Sequence, residues 1–319
     1  MKRSALLIVA VLAVALIAPA GASAASKPGG HIYLSLKHVI RSGHLRMTLT
    51  GRSVTVLGSI TPYLAQRVTV RVHRGGRLIL KRVLKVRPSS SRKVGHFSIK
   101  VGSGVPGRLK IDAVHGADSL QRRVAARAAR VSVYRGFVGF GSGGPFVRVI
   151  QHDLQRVGYP ATSSGYFDAR TSRASLAFNK VNGFARRKAL GRRAVSMLLA
   201  GRGSYPVRYP GHGRHVEADL SRQVLAEIVG DRVHATYVVS SGKPSTPTVL
   251  GSFRFYRKQP GTNSHGMVYS SYFVGGYAIH GYSSVPNYAA SHGCLRIPIP
   301  DAIPVYRWVH LGNRIDVYP

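Results

Sequence analysis

Between Gly51 and Val133 the apolar residues recur at every second position, which restricts the segment to strands with one buried and one solvated face. Val68, Val70 and Val72 alternate with Thr69 and Arg71, and Phe97, Ile99 and Val101 alternate with Ser98 and Lys100. Leu109, Ile111 and Ala113 keep the same period. Turn residues at Gly75-Gly76, Pro88-Ser89-Ser90 and Gly102-Ser103-Gly104 cut the runs to strand length. Arg and Lys fill many outward positions, and only Asp112 and Asp118 are acidic there.

Short strands so spaced predict an N-terminal β-sandwich of immunoglobulin-like type over 45–134, with no catalytic constellation in it. The period then changes. Phe146, Val149, Ile150, Leu154 and Val157 recur at helical spacing, and Ala174, Leu176, Ala177 and Phe178 do so within Thr171 to Val181. With Asp168 or Thr171 as a cap and a third helix from Gly191 to Leu199, a small three-helix unit is expected over 137–201. Gly201 to Arg214 is rich in proline, glycine and arginine and reads as a linker. Strands return at Val216 to Ala218, Gln223 to Val229, Arg232 to Ser240 and Ser252 to Tyr256, so 215–319 is expected as a β-rich domain. The fold class is mixed and mainly β.

A length of 319 residues accommodates these three domains. Ahead of them, Lys2 and Arg3, the apolar run Ala5 to Ala18 and the small residues Gly21 to Ala25 have the build of a cleaved secretory signal peptide over 1–25. No other segment has the length and apolarity of a membrane span, so a secreted protein of the cell wall or periplasm is expected. The one cysteine, Cys294, cannot form an internal disulfide, and a spare thiol in an oxidising compartment draws attention to its reactivity. The formal charge of +37 will attract any polyanion. Nucleic acid is disfavoured for an exported chain whose cations are scattered rather than gathered on one reading helix. Anionic wall polymers or membrane surfaces are the better counterpart, against the plainer alternative of a basic solvated surface with no partner.

The segment AIHGYSSVPNYAASHGCLR brings together His280, Gly281, Ser291, His292, Gly293, Cys294 and Arg296. A thiol attacks acyl groups as the thiolate, and with an unperturbed pKa of about 8.5 it needs a base. His292 is two residues away and, in an extended chain, shares a face with Cys294; His280 can approach from an adjacent strand. Glycine at 293 lets the backbone N–H groups around Gly293 and Cys294 point at a developing oxyanion. Arg296 offers a cation for a substrate carboxylate. Zinc held by His280, His292 and Cys294 lacks a clear fourth ligand, and a buried structural cysteine remains a further alternative.

Two resemblances extend this. GSGGPFVRVIQHDLQRVGY followed by SGYFDARTSRASLAFNKVNG resembles the peptidoglycan-binding domain type 1, through Gly141, Gln151, Leu154, Gly165, Phe167 and Thr171, with Asn179 where a glutamine is usual. His-Gly followed by Ser-His-Gly-Cys-x-Arg, with Ser240-Ser241-Gly242, Thr246-Pro247-Thr248 and Gly251, resembles the L,D-transpeptidase or YkuD-like catalytic domain over Val216 to Val317. The family often has a proline where Val249 stands. Ser264-His265-Gly266-Met267 repeats three letters of the motif, but methionine cannot supply a thiolate.

The resemblance implies Cys294 as nucleophile, His280 as base and acid, backbone at Gly281 and Gly293 for orientation and the oxyanion, and Ser291, His292 and Arg296 lining the pocket. It implies peptidoglycan stem peptides and glycan as partners, no cofactor, no metal, and crosslinking through a thioester. A carboxypeptidase on the same scaffold, or a wall-binding protein without activity, are the alternatives.

Overall fold

The computed structural model describes residues 26–319, so the expected signal peptide lies outside the described residues. Eleven strands come first: β1 (His31–Lys37), β2 (Ile40–Ser42), β3 (Leu45–Leu49), β4 (Ser53–Thr61), β5 (Arg67–Arg74), β6 (Arg77–Lys85), β7 (Arg87–Pro88), β8 (Gly95–Gly102), β9 (Gly107–His115), β10 (Val124–Ala125) and β11 (Ala129–Tyr134). They form a four-stranded sheet in the order β1-β4-β8-β7 and a seven-stranded sheet in the order β2-β3-β11-β9-β5-β6, with β10 on β9. Val54, Val56 and Ile60 from the first sheet and Val68, Val70, Val72 and Ile111 from the second share one buried cluster. The alternation places these residues inward because successive strand side chains point to opposite faces. The strands begin before residue 45: β1 pairs with β4 and adds Ile32 and Leu36 to the core.

Three helices follow, α1 (Pro145–Arg156), α2 (Ala169–Val181) and α3 (Arg192–Leu199). Pro145 suits the first turn of α1, where an N–H has no helical partner. Asp168 caps α2 by accepting from the Thr171 N–H. The buried Gln151 accepts from the Gly165 N–H at 2.8 Å and donates to the Tyr166 carbonyl at 2.8 Å, tying the turn before α2 to α1. Leu154 and Phe167 are fully buried, so both are core residues. The apolar cluster of the helices runs on into Met47 and Leu49 of β3 and into the next strands at Val224, Ala226 and Ile228.

The stretch expected as a linker is docked rather than free. Tyr205 is buried, and the Arg208 and Tyr209 N–H groups donate to the Glu217 carboxylate at 2.9 and 2.7 Å. Beyond it lie β12 (Arg214–Asp219), β13 (Val224–Val229), β14 (Arg232–Val238), β15 (Gly251–Arg254), β16 (Arg257–Thr262), β17 (Val268–Val274), β18 (Tyr277–Tyr282), β19 (Leu295–Pro298), α4 (Ile299–Trp308) and β20 (Arg314–Tyr318). They build one sheet in the order β14-β13-β12-β20-β15 and a second in the order β16-β17-β18-β19. Val216, Leu225 and Ile315 of the first meet Phe273, Ile279, Leu295 and Ile297 of the second in a common core that α4 joins through Ala302 and Val305. No described helix is long and apolar enough to cross a membrane.

Candidate active site

The parallel pair β18 and β19 brings the motif residues together. Ile279 is paired with Leu295 and His280 with Arg296, and the same register carried one residue back sets Cys294 beside Ala278. Side chains alternate along each strand, so Ile279, Leu295 and Ile297 enter the core while His280, Cys294 and Arg296 share the other face. The Cys294 backbone thus sits just ahead of β19, two positions before His280 along the neighbouring strand. The twelve residues 283–294 carry the chain back along the sheet so that the second strand starts beside the first in parallel.

The His280 ring is buried, and its Nδ1 lies 2.9 Å from the Gly281 carbonyl. A carbonyl only accepts, so Nδ1 carries the proton and Nε2 presents the lone pair. Tyr282 packs edge-on against this ring at 5.7 Å. Burial, and then the nearby Arg296 charge, hold the imidazole below its ordinary pKa against the raising effect of the Gly281 bond. Cys294 is half-buried, and its thiol donates to the Gly276 carbonyl at 3.7 Å; no hydrogen bond joins it to His280. Burial raises the thiol pKa, while the Ala278 backbone and Arg296 act the other way. The resting pair is therefore a thiol beside a neutral imidazole. Arg296 lies 4.2 Å over the Tyr282 ring, a cation at the same face.

Gly293 has φ 114°, in the region that favours glycine, and a Cβ there would fall on the Tyr277 ring. The chain is therefore not extended at this point, and the expected shared face for His292 and Cys294 does not arise; His292 is exposed. The Gly293 N–H donates to Ser291 Oγ at 3.0 Å, and that hydroxyl donates to the Cys294 carbonyl at 2.6 Å. This commits one of the two backbone donors expected for an oxyanion, and makes the buried Ser291 a brace of the loop. A Cβ at Gly281 would lie 2.7 Å from Ala302 Cβ, so this glycine lets α4 approach β18.

Several residues that brace the loop were not among the expected site residues. Thr248 Oγ1 donates to the Gly293 carbonyl at 2.8 Å, and the Ala290 and Ser291 N–H groups both donate to the Ser241 carbonyl. Ser241 in turn donates its N–H to Gln223 Oε1 at 2.9 Å, and the Gln223 carbonyl accepts from the buried Lys180 Nζ of α2 at 3.0 Å. A continuous set of hydrogen bonds thus runs from α2 to the cysteine loop. Burial pushes Lys180 down to about 7. The signal for Thr248 and Ser241 was present in the quoted motifs, whereas nothing local distinguishes Lys180 or Gln223. Met267 belongs to a loop whose Asn263 side chain accepts from the His265 and Met267 N–H groups, each at 3.0 Å. No group of three or more His, Cys, Asp and Glu residues suited to a metal occurs among the described residues.

Comparison with known proteins gives a family model, described as the L,D-transpeptidase catalytic domain or YkuD, that matches residues 213–317. The chain is similar to the L,D-transpeptidase of Xylanimonas cellulosilytica DSM 15894, with 31% identity, a TM-score of 0.52, and coverage of 57% of this chain and 97% of that one. It also matches the L,D-transpeptidase of Mycobacterium smegmatis at 13% identity and a TM-score of 0.31, over 90% of this chain and 99% of that one. No curated protein matches it.

Proposed function

The chain belongs to the L,D-transpeptidase family, and from that premise we propose that it crosslinks peptidoglycan with Cys294 as nucleophile and His280 as base and acid. The observation that carries this is the His280 tautomer: Gly281 holds the Nδ1 proton, leaving Nε2 basic on the face shared with Cys294. His280 takes the thiol proton as Cys294 attacks the carbonyl of the third residue of a tetrapeptide stem. The C–N bond to the terminal D-alanine breaks, its amine takes the proton back from His280, and a thioester remains. An amine of a neighbouring stem, deprotonated by the same imidazole, then takes the acyl group and frees the thiol. No metal or organic cofactor enters these steps.

Arg296 and the exposed His292 are assigned to the pocket, Arg296 opposite a stem carboxylate. Ser291, buried and bonded within the loop, is assigned to shaping it rather than to touching substrate. The helical unit at 137–201 is assigned to wall contact, with exposed Phe137, Phe140 and Tyr166 offering rings to glycan. Secretion to the wall completes the assignment.

The test is intact mass of the protein after incubation with disaccharide-tetrapeptide. An adduct on the parent that is missing from Cys294→Ala supports the proposal, and an adduct that persists in Cys294→Ala overturns it. Crosslinked dimer among the products marks the transpeptidase, whereas trimmed tripeptide alone marks the carboxypeptidase.

A further inference from the structure

The exposed face of the seven-stranded sheet places cations where a sheet ordinarily avoids them. Residues directly opposite on antiparallel strands have Cβ atoms roughly 4.5–5.5 Å apart, and like charges so placed repel. Arg67 stands opposite Lys85 and Arg71 opposite Lys81 across β5 and β6, and Lys110 stands opposite Arg130 across β9 and β11. These are outward positions, since the alternating residues Val68, Val70, Leu109, Ile111 and Val131 are buried. A single carboxylate lies among them. Asp112 faces Arg71 across β5 and β9 and sits 3.4 Å from both His73 Nδ1 and Lys110 Nζ.

At the edge of the sheet Arg41 stands opposite Arg46 in the β2–β3 hairpin, at positions whose register with Val131 turns them to the other side of the sheet, so that cations flank its rim on both faces. Arg46 and Arg130 both line two neighbouring recesses of about 560 and 710 Å³, the first also walled by Arg41 and the second by Lys110. The four-stranded sheet differs: Lys37 and Lys100 both stand opposite Thr55. Cations scattered by composition alone would fall on both sheets alike. Their stacking on one sheet weakens the fold unless something anionic covers it.

We propose that this face binds a linear phosphodiester polymer of the cell wall, laid across the paired cations and entering the recess at Arg46 and Arg130. Guanidinium forks suit phosphate oxygens, and alternate residues of a strand, about 6.8 Å apart, present charge at regular intervals. A flat bilayer cannot follow cations into a recess. Strands β5, β6 and β9 hold no Phe, Tyr or Trp on which nucleic-acid bases stack, and the recess itself offers a single such ring, the exposed Tyr33, too few for a run of stacked bases. The choice of a wall polymer rests on the proposed wall activity, but its test does not involve turnover.

The experiment uses the mature Cys294→Ala protein with and without Lys81→Glu/Arg130→Glu, and synthetic poly(glycerol phosphate) as probe. The two substitutions put a carboxylate opposite Arg71 and another opposite Lys110, replacing repulsive pairs with attractive ones. The expected result is affinity that falls steeply with salt in the parent, and a loss of roughly tenfold or more in the variant with Tm unchanged or raised. Equal polymer affinity in parent and variant overturns the proposal. So does preference of the parent for single-stranded DNA of equal charge, or for phosphatidylglycerol vesicles, which the exposed Leu78, Ile79 and Val83 of β6 make the relevant competitor. Any of these outcomes leaves the Cys294 adduct assay untouched.

Discussion

At residue 280 a single hydrogen bond decides what the imidazole can do. With Nδ1 given to the Gly281 carbonyl, Nε2 is free to take a proton, and burial keeps the ring neutral to a lower pH than an ordinary histidine. The rate should therefore hold as pH falls until it passes below the usual imidazole value, and the acid limb of the kcat/KM profile measures this. Burial raises the Cys294 pKa, so thiolate-specific alkylation without substrate should rise only above the usual thiol range. Gly293→Ala is expected to cost about 1–3 kcal/mol in urea unfolding and to abolish adduct formation, because φ 114° and the Tyr277 ring both exclude a side chain. Adding Tyr277→Ala relieves the clash alone, so recovery should be partial.

The elements that hold the cysteine loop come from separate parts of the chain. Helix α2 reaches α4 through Arg173, whose Nε and Nη2 donate to the two Asp301 oxygens at 2.7 and 2.9 Å in a largely buried pair. Removing one partner leaves the other charge uncompensated, so Arg173→Ala should cost about 2–4 kcal/mol in chemical denaturation. Arg173→Met/Asp301→Leu should recover much of this, since apolar packing replaces the pair without burying a lone charge. Helix α4 was not among the expected elements: Pro304 inside it removes a helical N–H, and packing of Ala302 and Val305 in the core beside β18 and β19 supports the helix there. The alternation of Ile32, Leu34 and Leu36 in β1 was present in the letters but lies before the expected start of the module at residue 45.

Over the whole molecule, two buried ionisable groups set opposite trends of stability with pH. Burial raises Glu227 to about 9 from an ordinary value of 4.5, so the folded chain holds a proton that the unfolded chain releases. That contribution falls as pH rises from 4.5 to about 9, and Glu227→Gln should gain relative stability over the same window, by a few kcal/mol at roughly the upper end. Lys180, lowered to about 7 from 10.5, acts the other way: the unfolded chain binds the extra proton, so its contribution to stability rises with pH between those values. Thermal unfolding of the parent, Glu227→Gln and Lys180→Met at a series of pH values separates the two. A parallel shift of all three curves would contradict both assignments.

The sequence by itself determined which segments alternate, where the helical period replaces alternation, and which short motif contains the cysteine, because these depend on neighbours a few residues apart. Cys294 stood out on those grounds, and so did the build of α2 from Asp168 onward, whereas the preference for His280 over His292 rested on the family resemblance. Tertiary structure alone decided that Gly293 turns His292 outward, that Ser291 occupies the Gly293 N–H, and that Gly201 to Arg214 is pinned to Glu217. It also decided that Lys180 and Gln223, 43 positions apart in the chain, meet behind the cysteine loop. Such contacts follow from strand register and helix docking, whose energies are summed over many distant pairs and leave no local trace in the order of the residues.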